Sequence, residues 1–189
     1  MYKARKNRRA VRAAMGLGLA GAMAVALVPV ANAADTTTTA TVTAGSLTIS
    51  APTSANLGSG TASTGSTISG SLGTTQVEDS RGSLLGWTVT TASTTAEMST
   101  GGTTPKTIAL GATGPLAWTT GTITAVGSSL LTGVSAGAAG FVSTTPITAA
   151  TAAAASGGGT YTYNPSLKLT VPPNTVAGTY SVVIRQTVA

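Results

Sequence analysis

The chain has 189 residues and contains neither histidine nor cysteine; only 7% of its residues are charged and 4% are aromatic. Without His or Cys, no Ser-His or Cys-His nucleophile pair can be assembled, and the common zinc ligand sets are excluded as well. No disulfide and no lipid-attachment cysteine is present, so an oxidising compartment is permitted but not required. The acids are Asp35, Glu78, Asp79 and Glu97, of which only Glu78 and Asp79 adjoin. Neighbouring strand residues point to opposite faces, so this pair cannot supply the two carboxylates of a glycosidase unless it lies in a turn. No run of oxygen-bearing side chains has the spacing of a calcium loop. The expectation is a chain with no catalytic residue, no metal and no cofactor.

Charge is unevenly placed. Lys3, Arg5, Lys6, Arg8, Arg9 and Arg12 account for the whole net charge of +6. Beyond residue 33 the four acids face four bases, Arg81, Lys106, Lys168 and Arg185, and the net charge is zero. The high isoelectric point therefore gives no reason to expect a nucleic-acid partner or acidic lipid. The six bases precede AAMGLGLAGAMAVALVPV and then Ala31-Asn32-Ala33, the basic, apolar and small-x-small order of a secretory signal peptide. Residues 1–33 are read as that signal, cleaved after Ala33, leaving no membrane contact. Arg8-Arg9 lacks the bulky apolar pair usual after a twin-arginine signal, and both export routes stay open. The ending SVVIRQTVA shows neither an apolar tail nor a sorting motif. The expected location is secreted, extracellular or associated with the cell wall, with any retention non-covalent. The whole pattern suits a Gram-positive exoprotein.

Of the residues from Ala34 onward, 38 are threonine, many alternating with Val, Leu, Ile or Ala, as in Ser46-Leu47-Thr48-Ile49-Ser50 and Ser166-Leu167-Lys168-Leu169-Thr170-Val171. Period-two alternation with β-branched residues predicts strands with one buried and one wet face. Gly58-Ser59-Gly60, Gly101-Gly102, Gly157-Gly158-Gly159, Asn164-Pro165 and Pro172-Pro173-Asn174 punctuate them. The expected fold is all-β, an Ig-like antiparallel β-sandwich forming a single domain over residues 46–189. Residues 34–45 read as a flexible Thr-rich lead-in. The alanine-rich run Ala149–Ala155 lacks an apolar stripe and meets three glycines, so a loop or strand is expected there rather than a helix.

Residues 77–90 read VEDSRGSLLGWTVT. Asp79-Ser80-Arg81-Gly82 has the short polar side chains and glycine of a tight turn, with Asp79 and Arg81 placed to pair or to cap it. After Gly86, Trp87 and Val89 share one face of a strand. A lone large aromatic on an alternating strand is usually core; the alternative for Trp87 is stacking on a sugar ring. Trp118 shares a face with Leu116 and is read as core first. Tyr161 and Tyr163 share a face and are expected to pack against Leu167, with an exposed aromatic strip as the alternative. Tyr180 resembles a corner tyrosine whose hydroxyl ties back to the backbone.

The run V-x-D-x-R-G-x-x-x-G-W-x-V and the ending GTYTYNPSLKLTVP followed by AGTY resemble the WxL domain of Gram-positive surface proteins, over about Ser46 to Val188. The resemblance implies export by a signal peptide, no covalent anchor, and non-covalent association with the cell wall, with peptidoglycan or another wall polysaccharide as ligand. It places the candidate wall-binding residues at Trp87, Thr88 and Val89 and the structural motif at Asp79, Arg81, Gly82, Gly86 and Tyr180. Two departures stand out. Trp87-Thr88-Val89 has Val where the family has Leu, and Gln186-Thr187-Val188 lacks the second tryptophan. Counting by two from Tyr180 puts Gln186 in an apolar row, where it needs a hydrogen-bond partner or a sheet edge. Two functions are expected in competition. A wall-binding module requires an exposed aromatic patch near Trp87 or Tyr161-Tyr163; a structural protein assembling with itself or other surface proteins requires only free strand edges. Burial of both tryptophans favours the second.

Overall fold

Alternation of Thr with larger apolar residues does become strand: Leu47–Ser50 and Ser166–Thr170 alternate shielded Leu and Ile with exposed Thr, Ser and Lys. The computed structural model describes residues 35–63 and 65–189. The leader and cleavage site assigned to residues 1–33 lie outside the described residues. Residues 35–46 are exposed and carry no regular structure.

Fourteen short strands follow. They are β1 (Leu47–Ser50), β2 (Thr67–Ser71), β3 (Thr75–Asp79), β4 (Trp87–Ser93), β5 (Glu97–Ser99), β6 (Thr107–Ala109), β7 (Leu116–Thr119), β8 (Thr124–Val126), β9 (Val134–Ala136), β10 (Gly140–Phe141), β11 (Ile147–Ala152), β12 (Gly159–Tyr163), β13 (Ser166–Thr170) and β14 (Ile184–Val188). No helix occurs among the described residues. Every pairing is antiparallel, and the fold is the all-β, sandwich-like one that the alternation predicts.

The first layer is made of two four-stranded sheets that meet at a bend, its two halves, with the orders β1-β3-β12-β8 and β10-β7-β13-β2. Three chain segments run through both halves, as β2 into β3, β7 into β8, and β12 into β13. Asn164-Pro165 marks the corner of the central one. Proline has no N–H to give a ladder, so it is accommodated where the ladder breaks. Its carbonyl accepts from Leu72 N–H at 2.8 Å and ties two bends together.

The second layer has the order β14-β4-β11-β9. In β11 the register with β4 slips between Thr148 and Ala150, a bulge that turns Ala149 and Ala150 both inward. The alanine run is therefore strand as far as Ala152. It then turns, with Ala155 at φ 64°. The large inward residues form one cluster: Val77, Trp87, Val89, Leu116, Trp118, Val142, Tyr161, Tyr163, Leu167 and Leu169. Across the layers, Trp118 Nε1–H donates to Thr120 Oγ1 (3.0 Å), whose hydroxyl donates to the Ala149 carbonyl (2.7 Å).

One segment begins later than the alternation suggests. Tyr180 to Val182 keep the period-two burial of the last strand, yet pairing with β4 starts at Ile184, and Ser181 forms only an isolated bridge with Ser99. The chain is still crossing toward the sheet there.

Candidate functional site

The block 79–87 folds into a tied corner between the layers. Asp79 ends β3 and is buried; its Oδ1 accepts from Arg81 N–H (3.1 Å) and Nε–H (2.9 Å), and its Oδ2 from Arg81 Nη2–H (2.9 Å). Nη2 also donates to the Gly86 carbonyl at 2.6 Å. The side-chain bonds from Arg81 hold the Asp79 carboxyl below its ordinary range against the opposing effect of desolvation, and the same bonds raise Arg81. Gly86 must be glycine. Its φ is +78°, and a Cβ there would lie 2.4 Å from the Ala152 carbonyl oxygen. Gly82 (φ 68°) supplies the left-handed turn, with open space around it.

That corner delivers Trp87 to the interior. The indole is 4% exposed, its Nε1–H donates to the Gly157 carbonyl at 2.9 Å, and its ring lies 5.7 Å from that of Tyr161 at a tilt of 53°. Val89 is fully buried and Thr88 half-buried. Trp118, Tyr161 and Tyr163 are buried too. The Tyr161 hydroxyl lies 2.9 Å from the Leu130 carbonyl and 3.0 Å from that of Gly158, and its single proton serves either. Burial raises the pKa of both tyrosines. No tryptophan face is available to stack on a sugar in this arrangement, and the Tyr161-Tyr163 strand offers no aromatic strip.

Gln186, in the half-buried row of β14, has its partners. Its Oε1 accepts from the Tyr163 hydroxyl (2.7 Å) and its Nε2 donates to Thr75 Oγ1 (3.1 Å), so it bridges β14 to β12 and β3 across the layers. Beside it in the ladder, the buried Thr91 hydroxyl has no partner. Tyr180 lies apart from the corner; its hydroxyl donates to the Val176 carbonyl at 2.7 Å, the backbone tie expected of a corner tyrosine.

Large apolar side chains are accessible on loops and at strand edges, where Phe141 of β10 is 40% exposed. Leu84, Leu85, Leu130 and Leu131 are exposed, Leu85 and Leu130 by 74% and 71%. They sit on two glycine-bracketed loops, GSLLG at 82–86 and GSSLLTG at 127–133. Each loop borders the glycine run, Leu84 at Gly158 and Ser129 at Gly159. Leu84, itself at φ 51°, accepts Ala155 N–H at 2.7 Å, and Ser129 Oγ accepts Thr160 N–H at 2.8 Å. This cluster was not foreseen; doubled leucines between glycines were its signal. At the other end, a cleft of ≈ 730 Å³ opens between the layers beside β14, lined by Ile49, Leu57, Ile68, Leu72, Val182 and Ile184. Among the described residues, Asp79–Arg81 is the one ion pair, and no acidic group of metal-binding size is present. No protein-family model, no curated protein and no solved structure matches the chain.

Proposed function

We propose that this chain is an exported, non-enzymatic surface protein of WxL-like type that works by assembling, through strand addition at open sheet edges, with itself or with other surface proteins. The observation that carries this reading is the inward turn of Trp87, Trp118, Tyr161 and Tyr163. A polysaccharide module needs aromatic faces in water, and these four serve as core. Strand addition needs only unpaired backbone donors and acceptors, which every terminal strand of an open sheet retains. Zero net charge beyond residue 33 removes long-range repulsion between copies and gives no steering toward anionic wall polymers.

Wall association, which the family resemblance implies, is the second reading. The exposed leucine loops are the surface that favours it, because they adjoin the D-x-R-G and G-W motifs that carry the resemblance. Two measurements on the purified chain from Ala34 onward separate the readings: sedimentation velocity over a concentration series, and co-sedimentation with isolated peptidoglycan sacculi. Reversible growth in mass without binding to sacculi supports assembly. Saturable binding by a species that stays monomeric, lost on Leu85→Ser with Leu130→Ser, would reject assembly in favour of the wall.

A further inference from the structure

Two features at opposite ends of the sandwich fit each other. The first is the exposed segment before β1. The chain joins the sandwich at Gly45-Ser46, held to Ser80 by Gly45 N–H to the Ser80 carbonyl (2.9 Å) and Ser46 N–H to Ser80 Oγ (3.0 Å). This junction lies at the Asp79 end, next to the tied corner. Upstream of it, residues 36–44 read TTTTATVTA, with no charge, no proline and no glycine. Ala40, Val42 and Ala44 share one face in an extended conformation and Thr39, Thr41 and Thr43 the other, a strand pattern without a strand. Val42 is 94% exposed.

The second feature is the cleft at the far end of β14. Ala189 and Thr88 exchange both backbone bonds, at 3.0 and 2.8 Å, and Ser181 exchanges both with Ser99, at 2.9 and 3.0 Å. Alternation along an antiparallel strand then turns the backbone N–H and C=O of Val182, Ile184 and Gln186 the other way, toward the open edge. The same residues point half-buried side chains inward, and the cleft floor continues through Ile49, Ile68 and Leu72. An edge with free backbone groups above an apolar trough is the geometry of a missing strand.

We infer that residues 36–44 of one copy add as a strand to the β14 edge of a second copy, with Ala40, Val42 and Ala44 turned into the cleft. This rests on the assembly reading above and names its partner. The occupant is a second copy because the segment ends at the Asp79 end, where β14 also ends, so along β14 of its own copy it could lie only in parallel, whereas the pairings of this fold are antiparallel. Such an interface is heterologous, head to tail, and its products are linear unless the rotation closes a ring. It also brings the exposed Leu84, Leu85, Leu130 and Leu131 of one end toward the exposed Val176 and Val183 of the other. Neither segment nor cleft lining carries a charge, so nothing ionic opposes the fit.

The absence of cysteine makes disulfide trapping unambiguous. The chain from Ala34 onward is made as Val42→Cys, as Val182→Cys, and as a control Ser135→Cys on β9, the opposite edge of that sheet. Mixing the first two under oxidation should give covalent dimers, and mixing Val42→Cys with Ser135→Cys should not. Removing residues 34–44, which lie outside the strands, should abolish assembly in sedimentation velocity while leaving the circular dichroism spectrum unchanged. Assembly that survives this truncation, or equal trapping by Ser135→Cys, overturns the inference while the broader assembly reading stands. An intramolecular disulfide in a Val42→Cys, Val182→Cys double variant, without dimers, overturns the second copy as occupant. A wild-type chain that stays monomeric and traps nothing overturns both.

Discussion

At one end of the sandwich Trp87, Tyr161 and Asp79 are sealed beneath loops tied by Arg81, Gly86 and Gly157; at the other, Ile49, Ile68, Val182 and Ile184 border an unfilled cleft. The inner strands β3 and β4 bury alternate residues fully along their length, whereas the edge strands β1, β2 and β14, which border the cleft, only half-bury theirs. Beyond residue 33 the chain has two tryptophans, three tyrosines and one phenylalanine, too few large side chains to fill both ends, and Thr and Ala cannot substitute in volume. The corner is closed by its own side chains, whereas the cleft keeps apolar side chains accessible.

The sharpest way to break that contrast is to truncate one residue at each end. Trp87→Ala removes a buried indole and its bond to Gly157, and a loss of about 3–5 kcal/mol is expected, as for large-to-small core changes generally. Val182→Ala, at a position already half open, should cost about 1 kcal/mol or less. Urea unfolding of the chain from Ala34 onward, followed by circular dichroism, gives both numbers. Equal losses would mean that the cleft end is as well packed as the corner.

Gln186 is where the two ends meet, and its replacement is expected to have the next largest effect. Gln186→Leu strands the Tyr163 hydroxyl and deprives Thr75 of its donor, a cost of about 1–3 kcal/mol for buried polar groups left unpaired. Adding Tyr163→Phe removes one orphan and should recover part of the loss. A double variant no better than the single would show that the Tyr163 hydroxyl is not left stranded when Gln186 is lost. Double-mutant analysis of the same urea transitions gives the coupling.

The third test is pH. Asp79 titrates in the folded chain below its unfolded value, near 3.9 for an ordinary Asp. The stability it contributes is therefore present above that unfolded value and is lost as pH falls through the lower folded one. Tm measured from neutral to acid pH should fall less steeply for Asp79→Asn than for wild type, from a lower starting point. Parallel curves would mean that other groups carry the acid sensitivity.

Much of the tied corner was legible in advance, because its signals are local. Asp79, Arg81, Gly86 and Trp87 lie within nine residues, and a turn followed by an alternating strand specifies most of their geometry. The backbone tie of Tyr180 was legible for the same reason, four residues from Val176. The bend between the two sheets was not. Nothing between β2 and β3 says that both belong to one continuous segment, since the bend is set by β12 and β13 turning at Pro165, far along the chain. The partners of Gln186 are equally distant, 23 and 111 residues away, so the sequence shows the need for a partner and not its identity. Alternation also continues through Tyr180–Val182 before there is a strand to pair with, because side-chain period records which face is shielded, not where the ladder begins.

The smallest expected change points in the opposite direction, toward gain. Thr91 is 1% exposed, and its hydroxyl finds no partner although Gln186 stands opposite it in the ladder. Gln186 spends its bonds on Tyr163 and Thr75, so the hydroxyl is desolvated without return, at a cost of about 1–3 kcal/mol. Thr91→Val keeps the β-branched shape that a central strand favours and removes the orphan. A stabilisation of about 1 kcal/mol should appear as a rise in Tm of about 2–4 °C for a chain of this size. A fall in Tm would mean that the hydroxyl is bonded in solution, and that the packing between β4 and β14 is wetter than the sealed corner beside it.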